Sequence, residues 1–558
     1  MKDTNRIFYL LLFVLALAVN LAGINVKFFT DDPGLYASLA KNLLYKKDFF
    51  ELFTYTNVDW LDKPHFPFWA VLLSFKIFGI STWAYRLPAL LFFCISLLYT
   101  FLFTRKFYNR DIAFVAVLII MTAQHVLLSN TDLRAEPYLM GLIIGAIYHI
   151  SKLQERYTIA DLLLAALLTA CAIMTKGLFV LVAIGGALLG QLIFQKKLAG
   201  LVKFKWLALA VLTFIFTLPE LYALYIQFDL HPEKTIFGMQ HVSGIKWFLW
   251  DSQFGRFLNS GPINRKAVSG SVFFYLHTLL WAFAPWCLLF YYAIFKNIKK
   301  LFRGDKLNEY YTFSGGLLLL VLFSLSGFQL PFYTNAIFPL FAIITAPVCV
   351  EKLSAFGTKL RLIGWWIFVV TLPAIILLLH YFLKPANSWL LLVDIALFGG
   401  MVLLAVINVK ELQKRVFIFS CLAALFTGFY LNTVFFKEIA AYRGEIAAAE
   451  YVNQKPFNGF PVYSLKTENN GFQFYCRRPV NYLPIAQFDK FNSTKAAIFY
   501  INQLSMDYLV QTHARFTVLH SFITYPQENI MPKFINKTTR HEVLGHVYLI
   551  TKPVPGGF

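Results

Sequence analysis

Apolar runs recur along this chain from Ile7 to about residue 435, separated by short polar connectors. The pattern predicts thirteen membrane-spanning helices, over 7–25, 86–104, 112–129, 137–151, 160–175, 177–195, 206–226, 271–295, 311–328, 331–350, 361–383, 389–409 and 415–435. Most of these runs are long enough for a hydrocarbon core of ~30 Å. The segment His65 to Ile80 is different. It has about 15 residues and contains Lys76, which is short for a span and suits an interfacial or re-entrant helix. From about Ala440 the texture becomes mixed, with β-type runs at Phe460–Leu465, Tyr508–Val510 and Val547–Ile550. The expected architecture is a polytopic α-helical membrane domain, residues 1–438, followed by a small α/β domain, residues 439–558.

Lys2 and Arg6 ahead of the run from Ile7 resemble a signal peptide, and Ala16-Leu17-Ala18 imitates a cleavage site. An uncut first span is the simpler reading.

Composition agrees with the pattern. Of 558 residues, 58% are hydrophobic and only 14% charged, far from the balance of a soluble protein. The net charge of +21 invites a nucleic-acid partner, but the positive residues sit mostly in connectors, where membrane topology places them. If 65–80 does not span, one face receives Lys2/Arg6, Arg105/Lys106/Arg110, Lys152/Arg156, Lys196/Lys197/Lys203/Lys205, Lys296/Lys299/Lys300/Arg303/Lys306, Lys352/Lys359/Arg361 and Lys410/Lys414/Arg415. That face is then the cytoplasm. Counting 65–80 as a span scrambles the pattern. The expectation is a multi-pass protein of a bacterial inner membrane with its N-terminus cytoplasmic. The loops 26–85, 130–136 and 227–270, the 175–177 and 329–330 junctions and the C-terminal domain then lie on the outer, periplasmic side. Five of the six cysteines lie in apolar runs and only Cys476 in the soluble part, so no disulfide framework or zinc ligand set is visible.

The polar residues assigned to the outer face carry the candidate chemistry. Asp31-Asp32 precede an amphipathic segment, Pro33 to Tyr45, with Leu35, Leu39, Leu43 and Leu44 at helical spacing. Asp32 reads as an N-cap before Pro33 or as a functional carboxylate, and the two are compatible because a helix N-terminus favours negative charge. Asp62-Lys63-Pro64, ahead of the aromatic stretch His65 to Trp69, is either a surface ion pair or a lysine placed against a lipid phosphate. Asp132, Arg134 and Glu136 crowd a very short connector, where Glu136 before Pro137 also reads as a helix cap. Lys176 sits between two apolar runs, by snorkelling or for an anionic partner. Arg256 is a further candidate phosphate ligand, since guanidinium matches phosphate bidentately. Gly327 to Tyr333 breaks two spans at the same face.

There is no GxxxxGK[ST] loop, dinucleotide fingerprint, HExxH or paired Cys/His spacing. The outer face has no nucleotide supply. Group transfer there needs a donor already activated by a lipid phosphate.

As an ordered series these residues resemble the lipid-linked integral membrane glycosyltransferases of the GT-C class. The nearest group is the bacterial lipid A aminoarabinose transferases and related protein-mannosyltransferase-like enzymes. The resemblance runs from Asp31 to about residue 350 and extends to the general plan of spans plus a C-terminal extracytoplasmic domain. Its residues are Asp32 with Tyr36, Asp62-Lys63-Pro64 through Trp69, Asp132 to Glu136, Thr175-Lys176-Gly177, Gly255-Arg256-Phe257 before Pro285-Trp286, and Leu330-Pro331-Phe332-Tyr333 through Pro339. Pro33, Leu35 and Gln329 depart from the aminoarabinose transferases, so donor sugar and acceptor do not carry over.

The resemblance implies inverting transfer of a sugar from a polyprenyl (undecaprenyl) phosphate to a lipid, glycan or protein acceptor at the bilayer. Asp32, with Asp31 beside it, would serve as general base or acceptor-orienting carboxylate. Lys63, Arg256, Lys176 and Tyr333 would hold the donor phosphate, and Asp132, Glu136, Asp62 and Tyr36 would contact substrate or a metal. No cofactor is required, and a divalent metal is left open. No nucleic acid is expected. A transporter or flippase of lipid-linked saccharides is the alternative, although no two-half repeat is evident.

Overall fold

The computed structural model describes residues 3–263, 270–465, 469–491, 496–526 and 530–552. The membrane domain opens with α1 (Asp3–Leu21), α2 (Asp31–Lys46), α3 (Phe66–Phe78), α4 (Thr82–Phe107), α5 (Arg110–Thr122) and α6 (Gln124–Ser129). It continues through α7 (Glu136–Glu155), α8 (Ile159–Lys176), α9 (Val180–Phe194) and α10 (Phe204–Leu224), which ends in a π turn at Tyr225–Asp229. The later spans are the helices Phe274–Ala282, Cys287–Phe302, Tyr311–Leu325, Phe338–Val350, Ala355–Leu383, Trp389–Asn408 and Leu412–Tyr430. All thirteen predicted runs fall on helices. Among the described residues seven helical stretches are long and apolar enough to cross a membrane, and α3, α9, Ile7–Leu21 and Tyr311–Leu325 are shorter apolar helices. The runs at 112–129 and 271–295 are each divided into two helices. A count of thirteen crossings stays an expectation of the sequence.

Helix α3 has 13 residues, about 20 Å at the rise of an α-helix and short of the ~30 Å core. It packs between α2 and α4, and Lys76 ends 4.0 Å from the centroid of the Phe49 ring. Helix α7 is buried nearly all round. Gly141 permits this, because a Cβ there would meet the Phe92 carbonyl of α4 at 2.5 Å.

Helix α7 runs away from the α2 end and α8 returns to it, so the 105–110, 151–158 and 305–311 connectors meet at the far end. There Lys106 pairs with Glu155 at 3.0 Å, and the Tyr311 hydroxyl donates to Gln154 at 2.6 Å.

Arg86, the fifth residue of α4, is fully buried. Its guanidinium donates to the carbonyls of Thr131 (2.9 Å), Ile24 (2.9 Å) and Val26 (2.5 Å), binding the loop before α2 to the loop before α7. Arg86→Met takes the donor from the buried Thr131 and Val26 carbonyls and from the partly buried Ile24 carbonyl. It is expected to cost roughly 3 kcal/mol or more, read as a melting temperature several degrees lower in detergent.

The C-terminal domain holds a five-stranded sheet in the order β2-β1-β3-β5-β4, comprising β1 (Val462–Leu465), β2 (Val480–Leu483), β3 (Ile498–Asn502), β4 (Thr517–Thr524) and β5 (Gly545–Thr551). β1 pairs parallel with β2 and β3, and β5 pairs antiparallel with β3 and β4. The predicted strand at Tyr508–Val510 is instead part of the helix Gln503–Gln511. Asn502 caps it by accepting from Ser505 N–H at 2.9 Å. Ser505, Met506 and Leu509 are its buried residues, a spacing of three to four that overrides the β-type composition.

This domain rests on α2. The Lys41 ammonium is buried and donates to the carbonyls of Gln473 (2.7 Å), Phe474 (3.1 Å) and Cys476 (2.6 Å). Ser38 Oγ donates to the Asn470 carbonyl at 2.9 Å.

Candidate active site

Helix α2 starts two residues earlier than the sequence suggested. Thr30 is its N-cap position, with extended backbone and no side-chain capping bond, and Asp31 and Asp32 both lie in the first turn. Asp32 is therefore not the cap. The helix dipole still favours both carboxylates there. Their partners separate them. Asp31 turns to Arg443 of the C-terminal domain, which also holds Glu445 at 2.5 Å. Asp32 pairs with Arg134 at 2.6 Å and keeps a side-chain exposure of 42%, so it alone of the two faces the membrane-domain cluster while open to an incoming molecule.

Arg134 also binds Asp132 at 3.2 Å and lies 4.2 Å from the centroid of the Phe332 ring. Burial opposes its charge, but Asp132 and Asp32 outweigh it and raise its pKa. Asp132 in turn accepts from the Thr30 hydroxyl. Tyr36, one turn beyond Asp32, is held neutral by burial and by Asp32.

A second cluster gathers around Asp62. Lys63 Nζ lies 2.6 Å from one carboxylate oxygen, and Arg256 pairs with the other. Burial pushes the Asp62 carboxyl up, and Lys63 and Arg256 more than offset this, holding it below its ordinary value. Burial and the nearby Arg256 push Lys63 down against the pull of Asp62. The Arg256 guanidinium interacts with the Tyr333 phenol as well as with Asp62, and these raise its pKa against burial.

Lys176, at the end of α8, pairs with the buried Glu136 and sits 4.0 Å from the centroid of the Tyr333 ring. Glu136 occupies the first position of α7, not its cap. Gly177 makes the approach of the next element possible. Its φ is +98°, and a Cβ there would meet Gln253 Nε2 at 2.3 Å, so glycine lets the helix Ser252–Phe257, which carries Arg256, close over Lys176.

Asp62, Lys63, Lys176, Arg256 and Tyr333 stand together on a cavity of ≈ 450 Å³ whose other walls are mainly apolar, among them Leu178, Phe179, Trp247, Phe254, Phe257 and Phe323. A smaller recess joins Tyr36, Lys63 and Arg134, so the Asp32 and Asp62 clusters adjoin through Lys63. The arrangement is cationic at one end and greasy along its length, which matches an anionic headgroup with a hydrocarbon tail.

The Asp62 carboxylate is set between an ammonium and a guanidinium. Among the described residues no group of three or more His, Cys, Asp or Glu side chains gathers to hold a metal ion. No step is assigned to a metal here. Gln329, where the resemblance led one to expect lysine, exchanges hydrogen bonds with the Ser271 backbone at 2.9 and 3.0 Å, fixing the 270–275 loop.

Sequence reasoning missed three participants. Arg134 was noticed only as one of three crowded charges. Arg443 and Glu220 had no local signal, the first lying in another domain and the second inside an apolar run.

Residues 62–222 match the family model described as dolichyl-phosphate-mannose-protein mannosyltransferase. An uncharacterized protein of Aquifex aeolicus (strain VF5) is 22% identical over 453 residues, covering 80% of this chain and 82% of that one. The crystal structure of ArnT from Cupriavidus metallidurans bound to undecaprenyl phosphate superposes with a TM-score of 0.75 at 16% identity, over 100% of both chains. The apo state of ArnT gives 0.71 at 17%, over 97% of both. The chain has an ArnT-like fold: a multi-pass helical membrane domain with a small C-terminal sheet domain.

Proposed function

We infer that the protein is a membrane glycosyltransferase that uses a sugar carried on a polyprenyl phosphate and passes it, with inversion, to an acceptor at the outer face of the membrane. The observation that carries this reading is the apolar cavity headed by Lys63, Lys176 and Arg256. The match over 62–222 to a mannosyltransferase family that uses a dolichyl-phosphate donor supports it, as does the likeness to an ArnT crystallised with undecaprenyl phosphate.

In this reading the lipid phosphate replaces Asp62 as partner of Lys63 and Arg256, and the chain of the lipid lies along the aromatic wall. Asp32 takes the proton of an acceptor hydroxyl. The acceptor oxygen bonds to the anomeric carbon from the side opposite the phosphate. The bond from that carbon to the phosphate oxygen breaks, and its electron pair stays on the phosphate. Lys63 and Arg256, with Lys176 and Tyr333, stabilise the charge that develops there, and preorganised cations do this without reorienting. Arg134, paired with Asp32 at 2.6 Å, holds its carboxylate in place.

The test is transfer by purified protein in liposomes from radiolabelled polyprenyl-phosphate sugars to membrane glycolipid, glycan or protein extracts. Sugar appearing on an acceptor without any added nucleotide sugar is the expected result. Movement of the intact lipid-linked sugar between leaflets with no transfer would establish the flippase alternative instead.

A further inference from the structure

Glu220 and His65 form a buried acid–imidazole pair that the reaction above leaves unused. Glu220 lies within the membrane-crossing stretch Phe204–Asp229. Its side chain is 0% exposed and that of His65 is 1%. An ionisable group in that position is costly and marks a function by default.

The hydrogen bonds around it form a closed set. Glu220 Oε2 accepts the His65 backbone N–H at 2.9 Å, and Oε1 lies 3.0 Å from His65 Nδ1. His65 Nε2 is 3.0 Å from the Phe50 carbonyl oxygen. A carbonyl only accepts, so Nε2 carries hydrogen, and one further proton between Nδ1 and Oε1 completes the pair. One carboxylate thereby ties α10 to the residue that opens α3 and, through the imidazole, to the 48–53 loop. His65 follows Lys63 across Pro64, whose fixed φ transmits the anchor with little slack. Glu220 lines the same cavity as Asp62, Lys63 and Pro64.

The geometry points to Glu220 as a positioning residue that acts through His65 to hold Lys63 at the cationic end of the cavity, and so sets the affinity for the donor phosphate; this rests on the donor assigned under the proposed function. Hydrogen bonding, not charge, does the positioning. Glutamine at 220 would offer its carbonyl to the His65 N–H and its amide N–H to Nδ1, leaving Nε2 on Phe50.

The experiment compares full-length wild type, Glu220→Gln, Glu220→Ala, His65→Ala, Lys63→Ala and the Glu220→Ala/Lys63→Ala double variant, measuring undecaprenyl phosphate affinity together with KM for donor and for acceptor. Glu220→Ala and His65→Ala are expected to weaken phosphate binding and raise donor KM about tenfold or more, as misplacement of a binding group does, with acceptor KM unchanged. Glu220→Gln should bind like wild type. The double variant should be no worse than Lys63→Ala alone, because residues acting through one another are not additive. Should Glu220→Ala not fold, His65→Ala against Glu220→Gln carries the same comparison. Unchanged donor affinity in the alanine variants, equal loss for donor and acceptor, or additive effects with Lys63→Ala would overturn the proposal while leaving the donor reading intact. A wild type that does not bind undecaprenyl phosphate overturns both.

Discussion

Replacing Asp32 by asparagine is expected to lower transfer by about 10²–10⁴-fold, the usual worth of a positioned general base, with polyprenyl-phosphate binding unchanged. The prediction depends on the separation of the two acids at the start of α2. Asp31 is drawn to Arg443, whereas Asp32 pairs with Arg134 and neighbours Lys63 and Tyr36 closely enough to influence both. Asparagine keeps the shape and one acceptor oxygen, so a loss reports the missing proton acceptor and charge. Asp31→Asn is the control and should retain most activity. Single-turnover transfer with saturating donor separates chemistry from binding. Wild-type rates for Asp32→Asn would remove this carboxylate from the mechanism, and a loss confined to Asp31→Asn would exchange the two roles.

Arg256→Ala is expected to reduce transfer by about 10²–10³-fold, in the range for removing one preorganised stabilising group, and to weaken donor phosphate binding as well. Two effects coincide. The guanidinium itself is lost, and Asp62, now with Lys63 as its near cation, claims that ammonium more fully and makes it less available to phosphate. Arg256→Lys should recover only part of the loss, because a point charge cannot replace the planar fork that matches a phosphate bidentately. Donor affinity and turnover measured on the same preparations check this. Full recovery by lysine would show that charge alone is used at 256, and wild-type behaviour of Arg256→Ala would exclude it from donor binding.

Much of this site was legible because the clues were local. Lys63, Lys176 and Tyr333 each stood beside the end of an apolar run and Arg256 in the 227–270 loop, and the distribution of basic residues put all four on one face. The short run at 65–80 announced a short apolar helix, and α3 has 13 residues. Pairings were not legible. Arg134 could be counted in its connector, but its choice of Asp32 across 102 residues depends on how α2 and α7 are stacked. Glu220 sits in a run otherwise suited to a plain span, with its partner 155 residues away. Local periodicity records which face a residue takes, not what meets it there. The segment Tyr508–Val510 failed for a related reason. Its composition suggested a strand, while the capping Asn502 and the spacing of Ser505, Met506 and Leu509 decided for a helix.

The Lys41 contacts have a consequence for how the protein is made. Lys41 is on the helix that carries Asp32, yet the carbonyls that receive its ammonium lie 432 to 435 residues further along the chain. At translation rates of roughly 5–20 residues per second, that interval is about 20–90 s. For that time α2 has already been synthesised while the structure that seats it has not. The helix that carries Asp32 is thus seated by a domain made long after it, and a chain cut short before residue 470 is expected to lack the carbonyls that hold Lys41.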